Sequence, residues 1–217
     1  MGSSWKPFLI IFFSLLLPLL SASAQEIPLV YRDLNVEIDI RSDGSATVTY
    51  DFTIENRASV PVVPGYGYFN LSSGEIVGAE AYVSGKKTEV VSEGKYARYS
   101  VWEVIKPGES LKVKLIVRIS DFLSRGLLFD EFNATLGPFS YPVERGRIEV
   151  RTEGSNLVYL EKGDLNSLKP GEIVRVRGEV SKIPLPMLPF SWYPIFWSVI
   201  IVALALVLAL SFRRKRS

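Results

Sequence analysis

From Leu34 to Arg41 apolar and polar residues alternate strictly. Leu34, Val36, Ile38 and Ile40 fall on one side of an extended chain, and Asn35, Glu37, Asp39 and Arg41 on the other. Ser42-Asp43-Gly44-Ser45 follows, Asp-Gly being a favoured hairpin pair. Val48, Tyr50, Phe52 and Ile54 then alternate with Thr47, Thr49, Asp51, Thr53 and Glu55, which predicts a β-hairpin with one wet and one dry face. The pattern recurs. Ile76–Val83 and Thr88–Val91 flank the turn Ser84-Gly85-Lys86-Lys87, and Tyr96–Val104 runs into Lys106-Pro107-Gly108-Glu109. Leu111, Val113, Leu115, Val117 and Ile119 alternate with polar residues, and Arg147–Arg151, Leu157–Leu160 and Ile173–Val180 complete the set. About eight or nine short strands with Gly/Pro/Asp turns predict an all-β ectodomain, an immunoglobulin-like β-sandwich, over residues 25–182. Lys169-Pro170-Gly171-Glu172 repeats the earlier Lys-Pro-Gly-Glu. Pro followed by Gly suits a type II turn, and the echo is read as two surface turns of similar composition rather than a duplicated unit.

The two ends depart from this pattern. Phe8–Leu20 is an uncharged run of thirteen residues after Lys6, and Ala22-Ser23-Ala24 supplies small residues for cleavage before Gln25. Residues 1–24 are therefore read as a secretory signal, with an uncleaved signal anchor as the alternative. At the other end no charge occurs between Lys182 and Arg213. As a helix, Pro194–Phe212 would cover roughly 28 Å at 1.5 Å per residue, which matches the hydrocarbon thickness. Trp192, Tyr193 and Trp197 stand at its start, where aromatic rings favour the membrane boundary, and Arg213, Arg214, Lys215 and Arg216 follow it as a positive topology anchor. The expected layout is a single-pass protein of the cell membrane, with residues 194–212 in lipid, the ectodomain outside and residues 213–217 cytoplasmic. Pro184, Pro186 and Pro189 predict a short semi-rigid stalk over 183–193. A span with a basic tail is also the layout of a cleaved sorting signal, although Leu185–Pro189 lacks a cleavage motif.

Topology changes the meaning of the charge. The chain has 217 residues, with 25 Lys+Arg against 23 Asp+Glu. Lys6 and the four tail cations lie outside the ectodomain, leaving it 20 cations against 23 anions. The basic pI near 8.7 thus belongs to the anchor, and nucleic acid is excluded as an expected partner. The chain has no His and no Cys, which excludes an imidazole base, a Ser/His/Asp triad, a thiol nucleophile and thiolate or imidazole zinc sites. No catalytic residue, metal site or cofactor is expected, and the chain is read as a non-enzyme. An exported chain without disulfides points to a prokaryotic surface.

Several segments are candidates for contact. Asn70-Leu71-Ser72 and Asn133-Ala134-Thr135 are N-x-[ST] sequons, making Asn70 and Asn133 candidate glycosylation sites in expected loops. Residues 120–143 interrupt the β pattern with Phe122, Leu123, Leu127, Leu128, Phe129 and Phe132 among Asp121, Asp130 and Glu131. The segment reads either as a lid packed over one end of the sandwich or as an exposed apolar patch that docks a partner. Pro64-Gly65-Tyr66-Gly67-Tyr68-Phe69 reads either as an aromatic contact loop or as filler for the open end of the core. Asp121 with Asp130 or Glu131 is the one carboxylate grouping that suggests a glycan-acting site.

The stretch Val48–Asn56 with Val60-Pro61-Val62, and the Pro-Gly-Glu turns before alternating strands, resemble immunoglobulin-like and fibronectin-like surface sandwiches. With its signal, span and basic tail, the chain resembles archaeal membrane-anchored ectodomains. More distantly, its layout is similar to ribophorin-type oligosaccharyltransferase subunits. The resemblance implies a surface sandwich, suggests an accessory place in a membrane complex, and supplies no catalytic residue. The expected function is therefore protein–protein or envelope contact by a membrane-anchored sandwich, with a protein partner close to the bilayer. A carbohydrate-binding or carboxylate-based glycan-acting module is the alternative.

Overall fold

The alternation between Leu34 and Glu55 forms two long antiparallel strands, β1 (Leu29–Ile40) and β2 (Ala46–Asn56), in the computed structural model, which describes residues 29–216. The signal reading of residues 1–24 lies outside the described residues. Ten further strands follow: β3 (Gly65–Asn70), β4 (Glu75–Val83), β5 (Lys86–Thr88), β6 (Val90–Glu93), β7 (Tyr96–Val101), β8 (Ser110–Ser120), β9 (Phe129–Leu136), β10 (Val143–Thr152), β11 (Asn156–Lys162) and β12 (Val174–Ser181). A single long helix, α1 (Tyr193–Arg216), closes the described chain. The described residues are thus mostly β-sheet with one apolar helix at the C-terminal side.

Six strands make one sheet in the order β10-β1-β2-β8-β4-β5. All its pairings are antiparallel except β1 with β10, which run parallel from Tyr31/Val143 to Ile40/Thr152. Period-two alternation gives this sheet a dry face. Val36, Ile38, Val48, Phe52, Val113 and Val117 are buried on it, while Asp33–Arg145 at 3.0 Å, Lys112–Asp51 at 3.3 Å and Arg118–Glu80 at 2.8 Å pair charges on the other side. Exposed pairs of this kind contribute little to stability, and burial of the apolar row supplies most of it.

Two three-stranded sheets, β3-β7-β6 and β11-β12-β9, cover that dry face. Ala97, Tyr99 and Val101 from the first, and Phe132, Ala134, Val174 and Val176 from the second, join one core with the large sheet. The Tyr50 and Phe69 rings meet edge-on at 5.5 Å across the layers. Burial holds the Tyr31, Tyr50 and Tyr99 phenols neutral, well above their ordinary range. Two neighbouring serines join the two small sheets, Ser73 Oγ donating to the Asn133 carbonyl at 3.3 Å. Ser72 Oγ donates to the Asn133 carbonyl at 3.1 Å and accepts the Thr135 N–H at 3.0 Å, so a hydroxyl occupies the part of the outer β9 edge that no strand pairs. The expected strand at Thr88–Val91 is two strands. β5 belongs to the large sheet and β6 to a small one, the chain changing layer at Glu89.

Both Lys-Pro-Gly-Glu segments are the same turn. Glu109 N–H reaches Lys106 O at 3.0 Å and Glu172 N–H reaches Lys169 O at 3.2 Å, with φ of 75° at Gly108 and 84° at Gly171, as a type II turn requires. In each, the Glu carboxylate accepts the Lys N–H, at 3.4 and 2.8 Å. Behind the first turn, the buried Asn56 gives its amide protons to Val60 O and Ile105 O and accepts the Ala58 N–H. That arrangement leaves the buried amide without an unmet donor or acceptor.

Gly67 lies directly opposite Tyr99 in the β3–β7 pair, and the Tyr99 ring lies over it, so a Cβ at Gly67 would overlap the ring. We expect Gly67→Ala to lower stability by about 1–3 kcal/mol through overpacking. This would be read as a fall of about 3–10 °C in the thermal midpoint of the detergent-solubilised chain.

Candidate functional site

Three surfaces collect the residues that carry chemistry. The first is the outer face of β3-β7-β6. Residues facing each other across antiparallel strands share a side, so Tyr68, Arg98 and Val91 form one row and Asn70, Tyr96 and Glu93 the next. Tyr66 stands further along β3, and Trp102 follows β7. Tyr68 is 52% exposed and Trp102 60%, although such rings normally enter the core. They are held in place without being covered. The Tyr66 and Trp102 rings meet edge-on at 5.0 Å, the Arg98 guanidinium lies 4.5 Å from the centre of Tyr66, and Tyr68 and Tyr96 are tilted by 34° at 5.9 Å. The result is an ordered aromatic face with one cation in its middle.

This face corrects one expectation and extends it. Residues 64–69 are not a loop, because Tyr66, Tyr68 and Phe69 lie in β3. Strand alternation separates them: the two tyrosines point outward while Phe69 is buried beneath Tyr50. Tyr96, Arg98 and Trp102, which complete the face, are marked by the sequence pattern only as part of a strand. Their signal was present in the sequence as large aromatic residues at the wet positions of an alternating strand.

The second surface is a groove of about 660 Å³ over the β11-β12-β9 sheet, lined by Asp121, Glu131, Tyr159, Arg177, Glu179 and Ser191 among others. Arg177 Nε lies 2.5 Å from Glu161 Oε2, and Tyr159 Oη donates to the same oxygen at 2.8 Å. The Tyr159 and Arg177 bonds hold the Glu161 carboxyl below its ordinary range, and the bond from Arg177 Nη2 to Tyr159 Oη at 3.3 Å, with that to Glu161, holds the Arg177 guanidinium above its own. Of the expected carboxylates, Asp121 and Glu131 line the groove, whereas Asp130 accepts the Gly126 N–H at 3.0 Å. Among the described residues, no group of three or more His, Cys, Asp or Glu side chains is placed to hold a metal ion.

Residues 120–143 contain β9 rather than a long loop. Phe122, Phe129 and Phe132 are buried, Phe122 stacking on Phe132 at 5.8 Å, so an exposed patch made of these rings is not what the fold presents. Leu127 and Leu128 remain outside, 79% and 37% exposed. Asn70 is exposed at the end of β3 and Asn133 is exposed within β9, a strand instead of the expected loop. Arg213, Arg214, Lys215 and Arg216 form the last turn of α1.

The third surface is the joint between the sheets and α1. From Tyr193 to Phe212 this helix has twenty residues with a mean hydropathy of 2.8, and none of its apolar stretch is buried against the protein. It is long and apolar enough to cross a membrane. Its first donors are met by the β-domain. Glu179 of β12, buried, accepts the Trp192 N–H at 2.9 Å through Oε2 and the Ser191 hydroxyl through Oε1, and Ser191 Oγ accepts the Tyr193 N–H at 3.1 Å. A carboxylate at a helix N-terminus meets orphan N–H groups and the positive end of the macrodipole together. Phe129 packs on Trp192, Tyr193 and Phe196 at 6.3–6.4 Å between ring centres. The Pro-rich segment before the helix does not stand away from the domain as the expected stalk would. A bulge at Val158 interrupts the β11–β12 pairing, and the Val158 carbonyl accepts the Leu188 N–H at 2.9 Å, while Trp192 Nε1 reaches Pro186 O at 3.1 Å.

No family model matches the chain, and no match is found among curated proteins. Among solved structures it is similar to an M1 zinc metallopeptidase from Deinococcus radiodurans, at 13% identity and a TM-score of 0.41, covering 74% of this chain and 41% of that one. It is similar to a protein from Legionella pneumophila described as nutrient-binding, at 7% identity and a TM-score of 0.42, over 72% and 64%. It is also similar to yeast LTA4 hydrolase, at 6% identity and a TM-score of 0.41, over 72% and 29%. The chain spans about two fifths of the metallopeptidase. Likenesses of this size leave the activities of those proteins with those proteins.

Removing the Glu179 carboxylate strands the Trp192 N–H and the Ser191 hydroxyl at the joint. We expect Glu179→Ala to release the 182–192 segment, so that trypsin cuts after Lys182 several-fold faster than in the unaltered chain. An unchanged cleavage rate would mean that the aromatic packing alone holds the joint.

Proposed function

We propose that this protein is a single-span membrane protein whose β-domain lies outside the cell membrane and docks a neighbouring protein through the aromatic face of β3-β7-β6. The observation that carries this reading is the set of exposed, mutually braced rings at Tyr66, Tyr68, Tyr96 and Trp102 around Arg98. Tyr, Trp and Arg are the side chains that dominate protein interfaces, because they bring contact area at little cost in side-chain entropy. The joint at Glu179 supports a partner near the bilayer. With no free stalk, the face is presented within the height of the domain, about 35 Å for an eleven-residue strand. The uncharged span followed by Arg213–Arg216 supports an outside domain and a cytoplasmic C-terminus. Assignment of the two layers to the immunoglobulin-like class belongs to this reading and is supported by their mainly antiparallel strands around one core.

A glycan-binding or glycan-acting module is the second reading, favoured by Asp121 and Glu131 meeting in one groove.

The test is co-purification after mild detergent extraction. Tyr68→Ser combined with Trp102→Ser should weaken the retained partner by about 2 kcal/mol per ring, roughly 30-fold in Kd for each and about 1,000-fold for the pair if the two add, with the thermal midpoint unchanged. A partner retained equally by both chains, or a monomer with nothing bound, would remove the aromatic face from the function. Loss of glycan retention on Asp121→Asn would favour the second reading.

A further inference from the structure

The 124–131 segment is a small hairpin beside the start of α1. Ser124 N–H donates to Glu131 O at 2.8 Å and Glu131 N–H to Ser124 O at 2.9 Å, and the tip is tied by Gly126 N–H to Asp130 Oδ1. Two observations fix where this tip sits. The Phe129 ring contacts Phe196, the fourth residue of the helix, at 6.3 Å between centres. Gly126 lies against the helix start as well, a Cβ there falling 3.6 Å from Tyr193 Oη. Leu127, next in the chain, is nevertheless 79% exposed, and Met187 and Phe190, which lead into the helix, are 54% and 53% exposed. Large apolar side chains in this number around a helix start stay largely uncovered among the described residues. The α1 surface beside them is itself an uncovered apolar helix.

We infer that the Gly126–Leu128 tip, together with Met187 and Phe190, forms a second membrane contact, inserted into the boundary between lipid headgroups and acyl chains. This rests on the reading of α1 as a membrane span. If residues 193–212 lie in hydrocarbon, the turn at Trp192–Tyr193 lies at the boundary, and the hairpin packed on it lies at the same depth. Aromatic and apolar side chains partition to that layer. The occupant is the bilayer that already surrounds α1, because the tip adjoins the helix start, Gly126 lying against Tyr193 and the buried Phe129 ring packing beneath on Tyr193 and Phe196. The only cation of the tip, Arg125, already gives Nη2 to the Asp43 carbonyl at 2.9 Å, so the contact is apolar and needs no acidic headgroup. The protein thereby touches the membrane at two adjacent places, which restrains the tilt of the domain against the bilayer.

A chain without cysteine allows the depth of single sites to be measured directly. Leu127→Cys, Val202→Cys and Lys106→Cys are made separately in the full chain, spin-labelled and reconstituted into phosphatidylcholine vesicles. Collision of each label with dissolved oxygen is then compared with collision by a water-soluble nickel chelate. Val202 lies in mid-helix. Lys106 lies in the turn beyond Ser110, at the opposite end of β8 from Ser120 and Phe122. The oxygen-to-nickel ratio at 127 should exceed that at 106 several-fold and lie between those at 106 and 202. A lipid-like ratio at 202 with a water-like ratio at 127 would overturn the second contact and leave the span intact. A water-like ratio at 202 would overturn the span reading, and the inference with it. A label at Leu127→Cys is polar enough to weaken the insertion it reports, so Leu127→Trp, with quenching by lipids brominated near the headgroup, provides the second measurement. Added quenching relative to the unaltered chain is expected, and none would overturn the proposal.

Discussion

A buried carboxylate meeting the first N–H groups of a helix governs how this molecule is held. Glu179 sits on β12, the central strand of its sheet, with Tyr159 and Glu131 opposite it on the two flanking strands, and its oxygens take the Trp192 N–H and the Ser191 hydroxyl. A helix emerging from a β-domain would ordinarily begin with several unmet donors in a poorly hydrated boundary layer, where each is costly. Here Glu179 and Ser191 take two of them, and Pro194 has no N–H to satisfy. The domain and α1 are therefore fixed to each other instead of being connected by a tether. The direction in which the aromatic face points then becomes a property of the fold.

Both layers reflect the same economy of pattern. The six-stranded sheet has one dry side, and only that side is covered, by two small sheets that do not pair with each other along their backbones. Ser72 bridges them with a hydroxyl, and Phe69, Tyr99 and Phe132 anchor them from within. Strain is kept to turns. The positive φ values lie mostly at glycines such as Gly108 and Gly171, where no Cβ opposes them. Gly67 serves another purpose, allowing a buried tyrosine ring to lie across the strand.

Much of the β architecture was legible from alternation because one-sided sheets write period two into the chain. β1, β2, β4, β7, β8, β10, β11 and β12 fall where the alternation put them, within the usual drift of strand ends. β3 and β9 were not legible, for identifiable reasons. β3 carries Gly65 and Gly67 beside three aromatic residues, so turn composition and aromatic composition overlap. In β9 the buried residues run Phe129, Phe132, Ala134, Leu136, and the three-residue step after Phe129 breaks the alternation at its start. The aromatic face is half visible in the sequence: Tyr66 and Tyr68 stand out as aromatics in a Gly-rich stretch, while Tyr96 and Trp102 follow the alternation of a strand. Glu179 left no trace in the sequence, since it stands between Gly178 and Val180 and its meaning comes from where the chain returns twelve residues later.

The parallel pairing of β1 with β10 has a consequence for the order in which the molecule can assemble. A chain made from its amino end completes β1 and β2 early, yet one hydrogen-bonding edge of β1 has no partner until Val143–Thr152 has been synthesised, over a hundred residues later. Until then Leu34, Val36 and Ile38 belong to an exposed edge strand, the kind of edge most open to pairing with another chain. Closure of the nascent sheet must wait for that late segment, so a truncation before Val143 would leave an adhesive, unfinished ribbon rather than a smaller stable domain.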